Sequence, residues 1–162
     1  MNTQEKDIRL YMFLRLTLLF SVLVSLVVFQ RAGMLSRDTV VKTYFITFFT
    51  FLVTTGFIFL YEKAKKVSYF LTSQVAYDIL FTTVLIFYTG PFESMYTMFY
   101  LFNIMFAAIL FPQLGAVAAA IASSLLYCTI AWINSDRATD DKTFTMLTTI
   151  TGFISLALLA SQ

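Results

Sequence analysis

Asp78 is the acidic residue that falls deep inside an apolar stretch of this chain, with Gln74 four residues before it and Thr82 four residues after. On a helix that spacing stacks three polar side chains on one face. Counted from Tyr69 at about 1.5 Å per residue, the carboxyl lies roughly 14 Å into a spanning helix, near the bilayer midplane. An ionised carboxylate there costs about 2.5 to 3.5 kcal/mol on insertion scales. Asp78 is therefore expected to be protonated, paired or turned towards water inside a helical bundle. Asn103, counted inward from Met95, lies about 12 Å deep on the next span. Three kinds of chemistry fit the group: interhelical hydrogen bonding that fixes packing, sensing or coupling through a change at Asp78, and proton or ion transport. Transport has the least support, because relays use several ionisable groups in series and only Arg15 could accompany Asp78.

Other chemistry is poorly provided for. The chain has no histidine, which removes the commonest metal ligand, general base and phosphoacceptor. Cys128 is the single cysteine and sits in an apolar run, so an internal disulfide and a metal-ligand spacing are both excluded. No Gly-rich phosphate loop, nucleophile elbow or catalytic carboxylate pair occurs. Catalysis by this chain, a cofactor and a metal are not expected. A net charge of +2, with basic residues scattered at helix ends, does not suit nucleic acid.

Two further patterns concern contact between helices. Gly115, Ala119 and Ser123 recur every four residues, and Ala118 and Ala122 are expected to widen the same narrow surface, the small-xxx-small pattern of close helix packing. Packing within the chain and contact with another protein's helix both fit it. Thr43, Thr47, Thr50 and Thr54 form a stripe of hydroxyls on a phenylalanine-rich helix, expected to be a buried seam whose hydroxyls bond their own backbone. Arg15 interrupts the first span and is expected to snorkel to the nearer interface. Trp132, Tyr61 and Tyr69 fall near span boundaries, as interface aromatics do.

The elements that must position these residues follow from composition. Of 162 residues, 59% are hydrophobic and 12% charged, so the solvent for this chain is lipid. Spans of about 20 residues are expected at about 10–30, 40–61, 69–89, 95–110, 115–133 and 143–160, an all-α integral membrane bundle of six transmembrane helices with short loops, forming one domain over 1–162. The first run is too long for a signal-peptide core and is expected to be retained. Gly90 and Pro91 stop the third span, because glycine frees the backbone and proline lacks a donor. The short FPQL connection makes spans four and five a close antiparallel pair. Lys6, Arg9, Arg15, Lys63, Lys65 and Lys66 against Arg31, Arg37, Lys42, Arg137 and Lys142 give a small basic bias, which places both termini in the cytoplasm. The sixth span ends without a basic flank, and a longer parent with a soluble part after Gln162 is expected.

From Gln74 onward the sequence resembles the membrane sensor region of bacterial type IV pilus sensor histidine kinases, which work with response regulators of the nitrogen-regulation type. The matching residues are Gln74, Asp78, Thr82, Tyr88-Thr89-Gly90, Ser94, Phe99-Tyr100-Leu101, Ile104 and Ala107-Ala108, then Gly115, the alanine run and Ser124-Leu125-Leu126-Tyr127. They cover spans three to five; the other spans agree in number and spacing. After the TG pair the pattern departs, with Pro91, Phe92 and Glu93 in place of a glycine and an acidic residue. The resemblance implies a detector in the bacterial inner membrane, homodimeric in the intact kinase, whose sixth span signals to a cytoplasmic kinase domain that follows it. It also implies pilin as a membrane partner and a response regulator reached through the missing domain. Two other classes have this length and span number. A substrate-capturing subunit of a vitamin uptake transporter would line an outward pocket with Asp78, Asn103 and Tyr127, and a cell-shape membrane protein would stop near residue 162.

Overall fold

The computed structural model describes residues 3–33, 36–61, 67–92, 94–111, 114–134 and 140–160, with the side chains of 3–10, 60, 61, 67, 68, 140 and 141 left aside. The basic cluster at Lys63, Lys65 and Lys66, the Arg137 loop, Glu93, Pro112 and Gln113, and the side chains of Lys6 and Arg9 thus lie outside the described residues. Every regular element among the described residues is helical: α1 (Thr3–Arg31), α2 (Arg37–Tyr61), α3 (Val67–Thr89), a 3-10 turn (Met95–Thr97) running into α4 (Met98–Leu110), α5 (Gly115–Ile133) and α6 (Asp140–Ala160). Five of these helices are long and apolar enough to cross a bilayer. The sixth, Met95–Leu110, is shorter. Its 3-10 turn rises faster per residue than an α-helix, which brings the whole to about 25 Å.

Helices occupy all six expected ranges; 95–110 and 115–133 keep their bounds, while α1, α2, α3 and α6 begin earlier than expected. α1 begins at Thr3, not at Leu10, because the polar run before the apolar stretch is made of good helix formers and continues the helix. α2 starts at Arg37, where the Ser36 hydroxyl accepts the Thr39 N–H at 3.2 Å and caps the first turn. α3 closes on Gly90, whose φ of +93° is the left-handed conformation of a helix-terminating glycine and whose N–H donates to Ile86 O at 2.9 Å. That turn is the one the Gly90-Pro91 pair predicts.

The helices fall into two compact units, residues 1–74 and 75–162. In the first, α1 packs along α2. The buried positions of α1 are Tyr11, Arg15, Leu19, Val22 and Leu26, and those of α2 are Val40, Thr43, Thr47, Thr50 and Thr54. The threonine stripe is thus a buried seam, as expected. The hydroxyls of Thr43, Thr47 and Thr54 each donate to the carbonyl four residues back at 2.8 Å. Arg15 corrects an expectation. It is 3% exposed instead of snorkelling outward, because position 15 lies on the same helical face as Tyr11, Leu19 and Val22. Its guanidinium stands 5.4 Å from the centre of the Phe57 ring, a cation–π contact that tolerates burial.

In the second unit α4, α5 and α6 pack pairwise on one another. At the α4–α5 corner the Phe111 N–H donates to Ala107 O and the Gly115 N–H to Phe111 O. A Cβ on Gly115 would overlap the Ala107 carbonyl oxygen and the Phe111 Cβ. Glycine is required there by the close approach of two backbones. The buried face of α5 carries Ala116, Ala119, Ala120, Ser123 and Tyr127. Ala119 and Ser123 are where the small-residue pattern puts them. Ala118 is exposed and Ala122 only half-buried, so Ala116 and Ala120 widen the surface instead. In a run of near-identical small residues either flank can turn inward, and packing chooses. α6 is the least buried span: among its described side chains only Phe153 and Ala157 are fully enclosed.

Candidate functional site

α3 presents its polar residues as the four-residue spacing requires. Gln74, Asp78 and Thr82 are 1%, 8% and 2% exposed, and Asn103 on α4 is 5% exposed. The amide Nδ2 of Asn103 donates to the Thr82 hydroxyl at 3.0 Å, and that hydroxyl donates in turn to the backbone carbonyl of Asp78 at 2.9 Å. A short relay thus runs from α4 into the backbone of α3. Asn103 meets Thr82, one turn closer to Gly90 than Asp78 itself. This follows from the antiparallel pairing, which sets the depth of each α4 residue by its distance from the same turn. The side chain of Gln74 has its oxygen buried without a hydrogen-bond partner among the described residues.

Two more rungs join α3 to α4; Thr89, Ser94 and Tyr100 stand out in the sequence only as residues of the family resemblance, and Thr83 not at all. The Thr83 and Tyr100 hydroxyls lie 2.7 Å apart, and Thr83 also reaches Ile79 O at 2.7 Å. The Thr89 and Ser94 hydroxyls are likewise 2.7 Å apart, and Ser94 accepts the Tyr96 N–H as the cap of the 3-10 turn. With Asn103–Thr82 they make a ladder of three polar rungs down an otherwise apolar hairpin. Such bonds between membrane helices are each worth about 0.6 kcal/mol on average.

The hairpin turn is held from outside as well. The Tyr127 hydroxyl donates to Pro91 O at 3.1 Å, and the Lys142 ammonium stands 5.6 Å from the centre of the Phe92 ring. Pro91, noted as a helix stop, therefore also supplies an acceptor to α5. Tyr127 serves the turn while Asn103 serves Thr82, about 10 Å further along α3. The two side chains therefore bond at different levels of the hairpin. Between the tyrosines sits Phe153 of α6, edge-on to Tyr100 at 5.4 Å between ring centres and edge-on to Tyr127 at 6.2 Å. Nothing in the pattern of residues separates Phe153 from the other 18 of the chain's 19 phenylalanines.

Helices of this length and hydropathy, closed around polar side chains bonded to one another, define a multi-pass α-helical membrane protein. The family model described as the PilS-like transmembrane domain matches residues 1–161, and the chain belongs to that family, a family of membrane sensor domains. No curated protein and no solved structure matches the chain. The family match extends to the first, second and sixth spans, beyond the third to fifth on which the resemblance in the sequence rests.

Proposed function

We propose that this domain is the detector of a two-component sensor histidine kinase of the bacterial inner membrane, that both its ends lie in the cytoplasm, and that α6 carries its output to a kinase module following residue 162. The observation that carries this reading is the match to the PilS-like transmembrane domain along residues 1–161. The physical form of the chain is consistent with it. Its polar side chains are bonded between helices inside the lipid-spanning part, where a partner's helix or a change at Asp78 could shift one hairpin against another. The signal is a membrane-embedded or near-membrane partner, with pilin the candidate that the family resemblance supplies. The working form is a homodimer in the intact kinase, and the response regulator is met through the kinase module. The chain itself performs detection and no chemistry.

The gene downstream of codon 162 tests the class. A cytoplasmic helix with a phosphoacceptor histidine and an ATP-binding domain is the expected result, and a stop codon there would overturn the reading.

A further inference from the structure

We infer that Phe153 is the positioning residue through which Tyr100 of the α3–α4 hairpin holds the middle of α6, so that a displacement at Tyr100 reaches the last span by way of this aromatic ring. Each step rests on a contact within residues 75–162. Thr83 fixes the Tyr100 hydroxyl at 2.7 Å. The Tyr100 ring, fully buried, meets the edge of Phe153 at 5.4 Å between centres. Phe153 in turn meets Tyr127 at 6.2 Å, and the Tyr127 hydroxyl returns to the hairpin at Pro91 O. The circuit is closed: α3, α4, α6, α5 and back to the turn that ends α3.

Tyr127 also holds α6 through a side-chain hydrogen bond with Thr149, and Phe153 is the largest side chain that α6 encloses. Among its described side chains only Phe153 and Ala157 are fully enclosed, and Phe144, Leu147, Leu158 and Leu159 are more than half exposed. An alanine offers little to grip, whereas an aromatic side chain contributes most of the contact area available and makes edge contacts that depend on orientation. The register of α6 therefore follows Phe153 more than Ala157. The second tie, Lys142 against Phe92, joins the beginning of α6 to the same turn. The α3–α4 turn and the two tyrosines therefore set where α6 lies.

This deepens the proposed reading, in which α6 is the output element, yet its test does not depend on kinase output. Hydrogen exchange of the full-length protein in lipid nanodiscs is compared for the wild type, Thr83→Val, Phe153→Leu and the double variant. Thr83→Val removes the hydroxyl that holds Tyr100, keeps the side chain's shape and changes no residue of α6. Losing one such bond should speed exchange in α3 and α4 roughly threefold and, through Phe153, in residues 145–157 of α6 as well. In the Phe153→Leu background Thr83→Val should still act on α3 and α4 but leave α6 unchanged. An α6 response of equal size in both backgrounds, or in neither, would overturn the inference. Should Phe153→Leu strip α6 of all protection, Phe153→Met, which keeps bulk without the ring edge, takes its place in the same comparison. If the exchange pattern holds while the variants leave phosphotransfer unchanged, the reading of α6 as the output element fails and the role of Phe153 stands.

Discussion

Asp78 and Asn103 lie one helical turn apart in level and carry different expectations. Asn103 bonds a hydroxyl whose own proton already goes to the Asp78 carbonyl, so replacing it strands no donor on Thr82. Asn103→Leu combined with Thr82→Val in a double-mutant cycle should show a coupling of about 0.6 kcal/mol in unfolding measurements from detergent or nanodiscs. A coupling near zero would remove the bond from the stabilising set. Asp78→Asn keeps shape and burial and removes the ability to ionise. In the intact protein it should change kinase output while membrane abundance stays near normal. Unchanged output would return Asp78 to a packing role. Gly115 offers a purely steric case. Gly115→Ala drives a methyl into the Ala107 carbonyl and the Phe111 Cβ, and should lower stability by about 1 to 3 kcal/mol, whereas Ala118→Leu on the exposed side of α5 should leave the melting temperature within a degree or two of wild type.

The hairpin of α3 and α4 shows what kind of information a sequence holds about such a protein. Hydropathy and the Gly90-Pro91 pair state where the helices are, because lipid demands long apolar runs and only a few residue types can end them. The spacing of Gln74, Asp78 and Thr82 states which face is buried, because polar residues are rare enough inside a span to be noticed. Thr83 and Phe153 were not legible for the opposite reason, and Tyr100 stood out only through the family resemblance. Threonine and aromatic residues are common throughout this chain, of which 18% is aromatic, and they are equally at home facing lipid or protein. Arg15 was noticed but misplaced, since its long stem permits both snorkelling and burial and the sequence has no means of weighing Phe57. The turn itself gives an expected outcome at this scale. Gly90→Ala forces a side chain onto a residue at φ +93° and should cost about 1 to 2 kcal/mol. Hydrogen exchange should then show loosening confined first to residues 86–97, and uniform loosening along α3 would count against a local role for the turn.

For the whole molecule the decisive property is parity. Six crossings return the chain to the side on which it began, and that allows the last helix to act on a cytoplasmic module if the first residue is cytoplasmic too. Reporter fusions in the connections after α1, α2, α3, α4 and α5 and at the last residue should alternate in sign and place both ends inside. An odd count, or a carboxyl end in the periplasm, would cut α6 off from any cytoplasmic effector. The threonine seam of α2 bears on how such a chain is made. Thr43, Thr47 and Thr54 carry their acceptors within their own helix, so these hydroxyls require no neighbouring strand of protein to be satisfied in hydrocarbon. α2 can leave the insertion machinery alone and wait in the lipid, and these three hydroxyls meet their neighbours later with their own bonds intact.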